Sequence, residues 1–178
     1  GWIYLAYADP ASGSRRAAMT KVVRGKLRFD GNTPRWTNQE TIFAADPSTY
    51  TGSSIHFGCR IAFDGKGHLF FAIGERGNGN LAQDRTAPHG KVFRMRDDGT
   101  IPSDNPFASS TDPKVLRAIW SYGHRNPQGL AFGLDGTLWS TEHAPRGGDE
   151  VNRIQRGANY GWMQVSFGIH YSDMPFLT

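Results

Sequence analysis

Short runs of apolar, aromatic and β-branched residues recur along this chain at close spacing, and Asp-Gly turns separate several of them. Such punctuation rules out long helices, because Gly and Pro supply turns and interrupt helical hydrogen bonding. The chain carries 22 Gly and 10 Pro in 178 residues, and no window sustains a 3.6-residue apolar period. Strands are expected over residues 2–7, 20–27, 41–44, 60–63, 68–73, 91–95, 117–121, 130–132, 137–141 and 150–154. Asp64-Gly65, Asp98-Gly99 and Asp135-Gly136 each offer the positive φ angles that a tight hairpin requires.

Two of the hairpins resemble each other. Ile61-Ala62-Phe63 and Leu130-Ala131-Phe132 each precede an Asp-Gly turn, and Leu69-Phe70 and Leu138-Trp139 follow it, with corresponding positions 69 residues apart. That interval exceeds a compact blade of ~40–45 residues but suits blades bearing long loops. The expected fold is therefore all-β, a partial β-propeller with about three blades in this chain, with a β-sandwich as the alternative. Propeller closure needs more blades, so residues 1–178 are expected to be the central part of a single domain. Gly1 is not Met, and a leader or longer segment is expected ahead of it.

The 20 Lys and Arg against 16 Asp and Glu leave a formal charge of +4. The basic residues are scattered rather than massed in a stripe, which argues against nucleic acid. Cys59 is the one cysteine, so neither an internal disulfide framework nor a cysteine-cluster zinc site is available. No run approaches the ~20 apolar residues of a membrane-spanning helix.

Chemistry concentrates before and after the strands. His56 stands just ahead of the strand over 60–63, where an imidazole can serve as general base or be a loop histidine bonded to backbone. The loop over 74–84 is glycine-rich and polar, with neither phosphate-loop nor dinucleotide spacing; a flexible surface loop is one reading of it. In His124-Arg125-Asn126-Pro127 a planar guanidinium and an amide sit side by side. Glu142, Asp149 and Glu150 flank a Pro/Gly turn whose carbonyls could point outward, and carboxylate with carbonyl oxygens suits a hard cation such as calcium. A solvated acidic turn is the plainer reading.

Taken together, these segments resemble the quinoprotein sugar dehydrogenases of the glucose/sorbosone dehydrogenase family, which includes aldose sugar dehydrogenases using pyrroloquinoline quinone (PQQ). The likeness rests on His56-Phe57-Gly58-Cys59-Arg60 with the following hairpin and Gly74-Glu75-Arg76-Gly77, on Gly123-His124-Arg125-Asn126-Pro127-Gln128-Gly129, and on Gly147-Gly148-Asp149-Glu150 followed by Asn159-Tyr160-Gly161-Trp162. It covers nearly the whole chain and roughly the central half of a six-bladed propeller.

The resemblance implies oxidation of the anomeric carbon of an aldose to a lactone by hydride transfer to PQQ. It places His56 as the general base and Arg125 and Asn126 against the quinone oxygens, with Arg125 stabilising charge on the reduced cofactor. It assigns the carbonyls of Ala144 and Pro145 to the calcium bound with PQQ, and the Glu150 carboxylate with the Tyr160 carbonyl to a second calcium. Tyr171 matches a PQQ contact of the aldose branch, and Asn80 falls where one branch has a contacting Gln. An external electron acceptor, a periplasmic or secreted location, and completion by blades outside this chain or by a complementary chain are implied as well. Two departures stand out: Ala144 replaces a usual Gly, tolerable at negative φ, and Cys59 replaces another, placing a thiol near the quinone. Two alternatives remain at this point, a calcium-dependent propeller lactonase using Glu150 and His143, and a non-catalytic sugar- or protein-binding propeller.

Overall fold

The computed structural model describes residues 1–13, 16–174 and 176. Ten strands form three antiparallel sheets. The first sheet holds β1 (Ile3–Pro10), β2 (Ala18–Asp30) and β3 (Thr33–Phe43); the second holds β4 (Ile61–Phe63), β5 (His68–Ile73), β6 (Lys91–Arg96) and β7 (Ile119–Tyr122). The third is made of β8 (Pro127–Phe132), β9 (Leu138–Glu142) and β10 (Glu150–Arg153). Short 3-10 turns over Pro47–Thr49 and Gly79–Ala82 are the helical content. This is the partial propeller expected of the sequence, with three sheets standing as three blades.

The second sheet is the centre because both of its faces are covered. Alternation along β5 divides its apolar side chains between two cores. Leu69, Phe71 and Ile73 join Phe93 and Met95 against Met19, Val22 and Ile42 of the first sheet. Phe70, Ala72 and Val92 turn the other way, onto Leu130, Leu138 and Ile154 of the third. A strand buried on both faces has no wet side to mark with polar residues, which is why β5 reads as the nearly continuous apolar run Leu69-Phe70-Phe71-Ala72-Ile73. Aromatic contacts tighten both seams: Phe43 meets Phe71 and Phe93 at 5.1 and 4.8 Å, and Phe70 meets Phe132 edge-on at 5.3 Å. The two similar hairpins are thus the same piece of neighbouring blades.

The structure departs from expectation in three places. β2 and β3 are far longer than the expected 20–27 and 41–44, and they are closed by Gly31-Asn32 between paired Asp30 and Thr33. Beyond Gly25 this ribbon is largely exposed, although Leu27 and Phe29 alternate there with Lys26, Arg28 and Asp30; its Asp-Gly signal, Asp30-Gly31, is that of a two-residue hairpin, and Gly31 has φ +59°. Asp97-Asp98-Gly99-Thr100 is a tight turn, with the Arg96 N–H donating to the Thr100 carbonyl. It is not a hairpin, because the long connection over 97–118 leads on to β7. The loop over 74–84 is no loose surface loop at its start, where Glu75 and Arg76 are each only 2% exposed.

The outer faces of the first and third sheets present Ile3, Leu5 and Tyr7 on one side and Trp139 and Val151 on the other, all exposed. No helix among the described residues is long and apolar enough to cross a membrane.

Phe71 is fully buried in the first seam. Phe71→Ala is expected to lower unfolding free energy by about 3–5 kcal/mol, as large-to-small core substitutions do. Leu134→Ala, on a fully exposed side chain, should stay within about 0.5 kcal/mol. Denaturant unfolding of the two variants decides it; equal effects would mean the seam is not the core.

Candidate functional site

The Asp-Gly turns of both similar hairpins lie at one end of their sheets, so the opposite ends gather the segments that begin β4 and β8 and those that leave β5 and β9. His56 precedes β4, Glu75 follows β5, Arg125 and Asn126 precede β8, and Glu142 ends β9. The Glu75 N–H donates to the Arg125 carbonyl at 2.8 Å, stitching the second and third sheets together at this end. Gly74 has to be glycine here, since a Cβ would lie 2.3 Å from the His56 carbonyl oxygen and 3.0 Å from Asn126 Oδ1.

Glu142 organises the segment that precedes β8. Its carboxylate, 6% exposed, accepts from the backbone N–H of both Arg125 and Asn126 through Oε1. Its Oε2 lies 3.0 Å from His124 Nδ1. His124 is fully buried, reaches Ser121 Oγ at 2.8 Å through Nε2, and stacks on Tyr160 at 4.5 Å. A buried carboxylate is tolerated only with such a set of donors.

With its backbone held this way, Arg125 sends Nη1 to the His143 carbonyl at 2.8 Å and Nη2 to the Tyr171 hydroxyl at 3.4 Å. Its guanidinium lies 5.4 Å from the Trp162 ring centre. Asn126 Oδ1 accepts the Gly58 N–H at 3.2 Å, which ties the segment carrying His56 to the one carrying Arg125. His56 in turn pairs through Nδ1 with Glu75 Oε1, and Glu75 is buried with Oε2 unpartnered. A carboxylate on Nδ1 selects the tautomer that leaves Nε2 as the proton acceptor. His56 has φ +55°, and Cys59 and Arg76 are likewise left-handed at +95° and +58°. Three non-glycine residues in that region around one side chain are strain of the kind that gathers at functional sites.

Ala144 has no positive φ, as its substitution for Gly demands, and its N–H goes to Asp149 Oδ1 at 2.9 Å. Among the described residues, no backbone N–H donates to the carbonyls of Ala144, Pro145 or Tyr160. Glu150 faces Glu142 across β9 and β10. Burial, and then the neighbouring Glu142 charge, pushes the Glu150 carboxyl above its ordinary range. Free carbonyls beside a pair of crowded carboxylates are a donor set that fits a hard cation. No cluster of three or more His, Cys, Asp or Glu able to hold a metal exists among the described residues, so a cation here would depend on backbone oxygens. Arg125 with its remaining N–H groups, and the Asn126 amide, fit an anionic or carbonyl-bearing cofactor.

The structure thus brings together Arg125, Asn126, Tyr171 and the Ala144-Pro145 turn, and joins His56 to them through Gly58 and Glu75. Glu150 and Tyr160 line the same pocket as Arg125 and Ala144. Asn80 is exposed on the 3-10 turn, and no hydrogen bond joins its side chain to the other candidates. His143 is exposed and pairs with Asp149 at 3.2 Å, and it lines a shallow pocket with Asp149 and Glu150. Burial raises the Cys59 thiol, so it is less ready to ionise than an ordinary cysteine. Sequence reasoning missed Glu75, His124 and Trp162 as parts of the site, and saw Glu142 only as one acid of a turn. The available signal was position, a carboxylate at or just beyond the end of each of two matched apolar strands.

Glu142→Ala strands two buried amides, each worth about 1–3 kcal/mol when unmet. It should therefore cost about 2–5 kcal/mol of stability, whereas Glu142→Gln, which keeps a carbonyl oxygen, should cost clearly less. Equal denaturation midpoints for the two variants would show that the carboxylate does not hold this segment.

The family model for glucose and sorbosone dehydrogenases matches residues 1–177. The chain is 44% identical over 171 residues to the aldose sugar dehydrogenase YliI of Escherichia coli, covering 96% of this chain and 44% of that protein. It superposes on the apo-form crystal structure of the soluble aldose sugar dehydrogenase from Escherichia coli with a TM-score of 0.86 and 43% identity, over 98% of this chain and 48% of the other. The PQQ-bound aldose sugar dehydrogenase from Streptomyces coelicolor follows at TM-score 0.73 and 31% identity, over 98% and 47%. The chain spans less than half the length of these relatives. A match that runs through every strand and every segment of the site leaves one assignment: the chain belongs to the glucose/sorbosone dehydrogenase family.

Proposed function

We propose that the protein carrying this chain is a quinoprotein oxidoreductase that oxidises the anomeric carbon of aldose sugars to lactones. The observation that carries the reading is the His56–Glu75 pair fastened beside the buried Arg125–Asn126 pair. A proton acceptor and a cationic hydrogen-bond donor thus stand on adjoining segments at one end of two neighbouring sheets in a family of sugar dehydrogenases. PQQ, when bound, supplies the two-electron acceptor for the sugar's C1 hydride, and calcium the Lewis acid that polarises it.

The chain's own residues do the rest. His56, 13% exposed at its side chain, takes the proton of the anomeric hydroxyl on Nε2 while Glu75 steadies the resulting imidazolium. Arg125, locked by the His143 carbonyl, stabilises negative charge where the hydride arrives, with no reorganisation needed at that moment. Asn126 presents its amide on the same side. Ala144 and Pro145 would offer carbonyls to the calcium, Glu150 and Tyr160 would hold a second one, and Tyr171 and the more distant Asn80 would border the cofactor. The exposed faces bearing Ile3, Leu5 and Tyr7, and Trp139 and Val151, are the surfaces on which further blades would pack to complete one propeller domain. An external acceptor would then reoxidise the cofactor.

In the intact protein, dye-linked oxidation of aldoses is expected to require added PQQ and calcium. His56→Ala should cut turnover by about 10²–10⁴-fold, the usual contribution of a general base, while PQQ absorbance titrations stay unchanged. Near-normal turnover would remove His56 from the role. Arg125→Lys should lower turnover as well, since an ammonium cannot reproduce the fork that grips the His143 carbonyl and Tyr171; unchanged kinetics would leave Arg125 a purely structural part.

A further inference from the structure

A second set of buried polar groups lies behind the His56 segment, on the side away from Arg125. Arg76 and His89 are 2% and 3% exposed, and both line a cleft with Thr51 and Asn78. Arg76 donates through Nη1 to the Ile55 carbonyl and through Nη2 to the Ser53 carbonyl, and its guanidinium lies 3.3 Å from the Phe57 ring centre. Yet Arg76 Nε and His89 Nδ1 have no hydrogen-bond partner among the described residues. Nor does any carboxylate there form an ion pair with Arg76.

Buried polar atoms in folded proteins are almost always matched, so two unmatched ones lining a single cleft call for a ligand. What the cleft offers is mostly donors. The Thr51 hydroxyl oxygen accepts the Ser53 N–H at 3.3 Å, which leaves its own O–H free to give. Asn78 begins the 3-10 turn without using its side chain to cap it. Burial, then the Lys91 and Arg76 charges, lowers the His89 pKa to about 4, so the ring is neutral at pH 7 and can present Nδ1–H. Of the acids nearest these groups, Glu75 holds His56 through Oε1 and leaves Oε2 unpartnered, and Asp84 holds Thr86 by its N–H and hydroxyl. Lys91 spends its ammonium on the carbonyls of Leu81, Ala82 and His89.

We propose that this cleft binds a small oxyanion, a phosphate or a carboxylate, through Arg76 Nε, His89 Nδ1, the Thr51 hydroxyl and the Asn78 amide. The anion supplies the acceptor that Arg76 Nε and His89 Nδ1 lack. Because Arg76 also grips the carbonyls on either side of Ser54 and next to His56, the ligand firms the segment that carries the proposed base. Binding itself needs neither quinone nor sugar, so it stands or falls apart from the dehydrogenase reading.

The test is calorimetric titration of the intact protein with inorganic phosphate and, in parallel, with acetate, in the absence of quinone and calcium. Sodium chloride at matched ionic strength sets the baseline. One of the two anions is expected to bind with a Kd of about 1 mM or tighter; the tighter one identifies the oxyanion as tetrahedral or planar. Arg76→Met should abolish binding but could unfold the segment, so Thr51→Val and Asn78→Leu serve beside it, each weakening affinity several-fold with the fold unchanged by circular dichroism. Absence of binding above the chloride baseline for both anions, or equal affinity in wild type and the Thr51 and Asn78 variants, overturns the proposal.

Discussion

Everything at the functional end of this molecule depends on one buried carboxylate. Glu142 leaves the last position of β9 with no water to solvate it, and it satisfies itself on the N–H groups of Arg125 and Asn126 and on His124. Those bonds set the backbone of Arg125, and with it the direction of the guanidinium. His124, caught between Glu142 and Ser121, supports the Tyr160 ring, and the chain beyond Tyr160 supplies Trp162 to flank Arg125. A single charge, expensive to bury alone, is thereby converted into the fixed geometry of three side chains.

The same economy governs the other half of the site. Glu75 is a second buried carboxylate one blade earlier, two residues past the end of β5. It is answered by the His56 ring through its side chain and by the Arg125 carbonyl through its N–H. The two blades therefore each carry a buried acid at the same end, one holding the proposed base and the other the backbone of Arg125. The rigid element between them is the central sheet, whose two covered faces leave it no freedom to tilt. Catalytic groups on loops need such a scaffold to hold sub-ångström positions.

Much of this was legible in the residues. The apolar runs and Asp-Gly turns located all ten strands, because burial and positive φ are local demands that the sequence must meet locally. The outer half of the β2–β3 ribbon was missed although Leu27 and Phe29 alternate with Lys26, Arg28 and Asp30 before a two-residue turn; that signal is short, and the residues join neither core. His56, Arg125, Asn126 and the Ala144-Pro145 turn stood out through a resemblance in motif order. Glu75 and the organising role of Glu142 did not, since the partner of a buried carboxylate lies up to 19 residues away in sequence and is chosen by sheet packing. Asn80, picked out through the same resemblance, is the candidate least joined to the rest among the described residues.

The central claim is that this site is built before any ligand arrives, by Glu75 and Glu142 rather than by a cofactor. Amide hydrogen exchange of the ligand-free protein tests it most directly. The account predicts that the N–H groups of Glu75, Arg125 and Asn126, all outside the strands, exchange as slowly as those of β5 and β9. Exchange at the rate of exposed loops, with protection gained only on addition of PQQ and calcium, would contradict it.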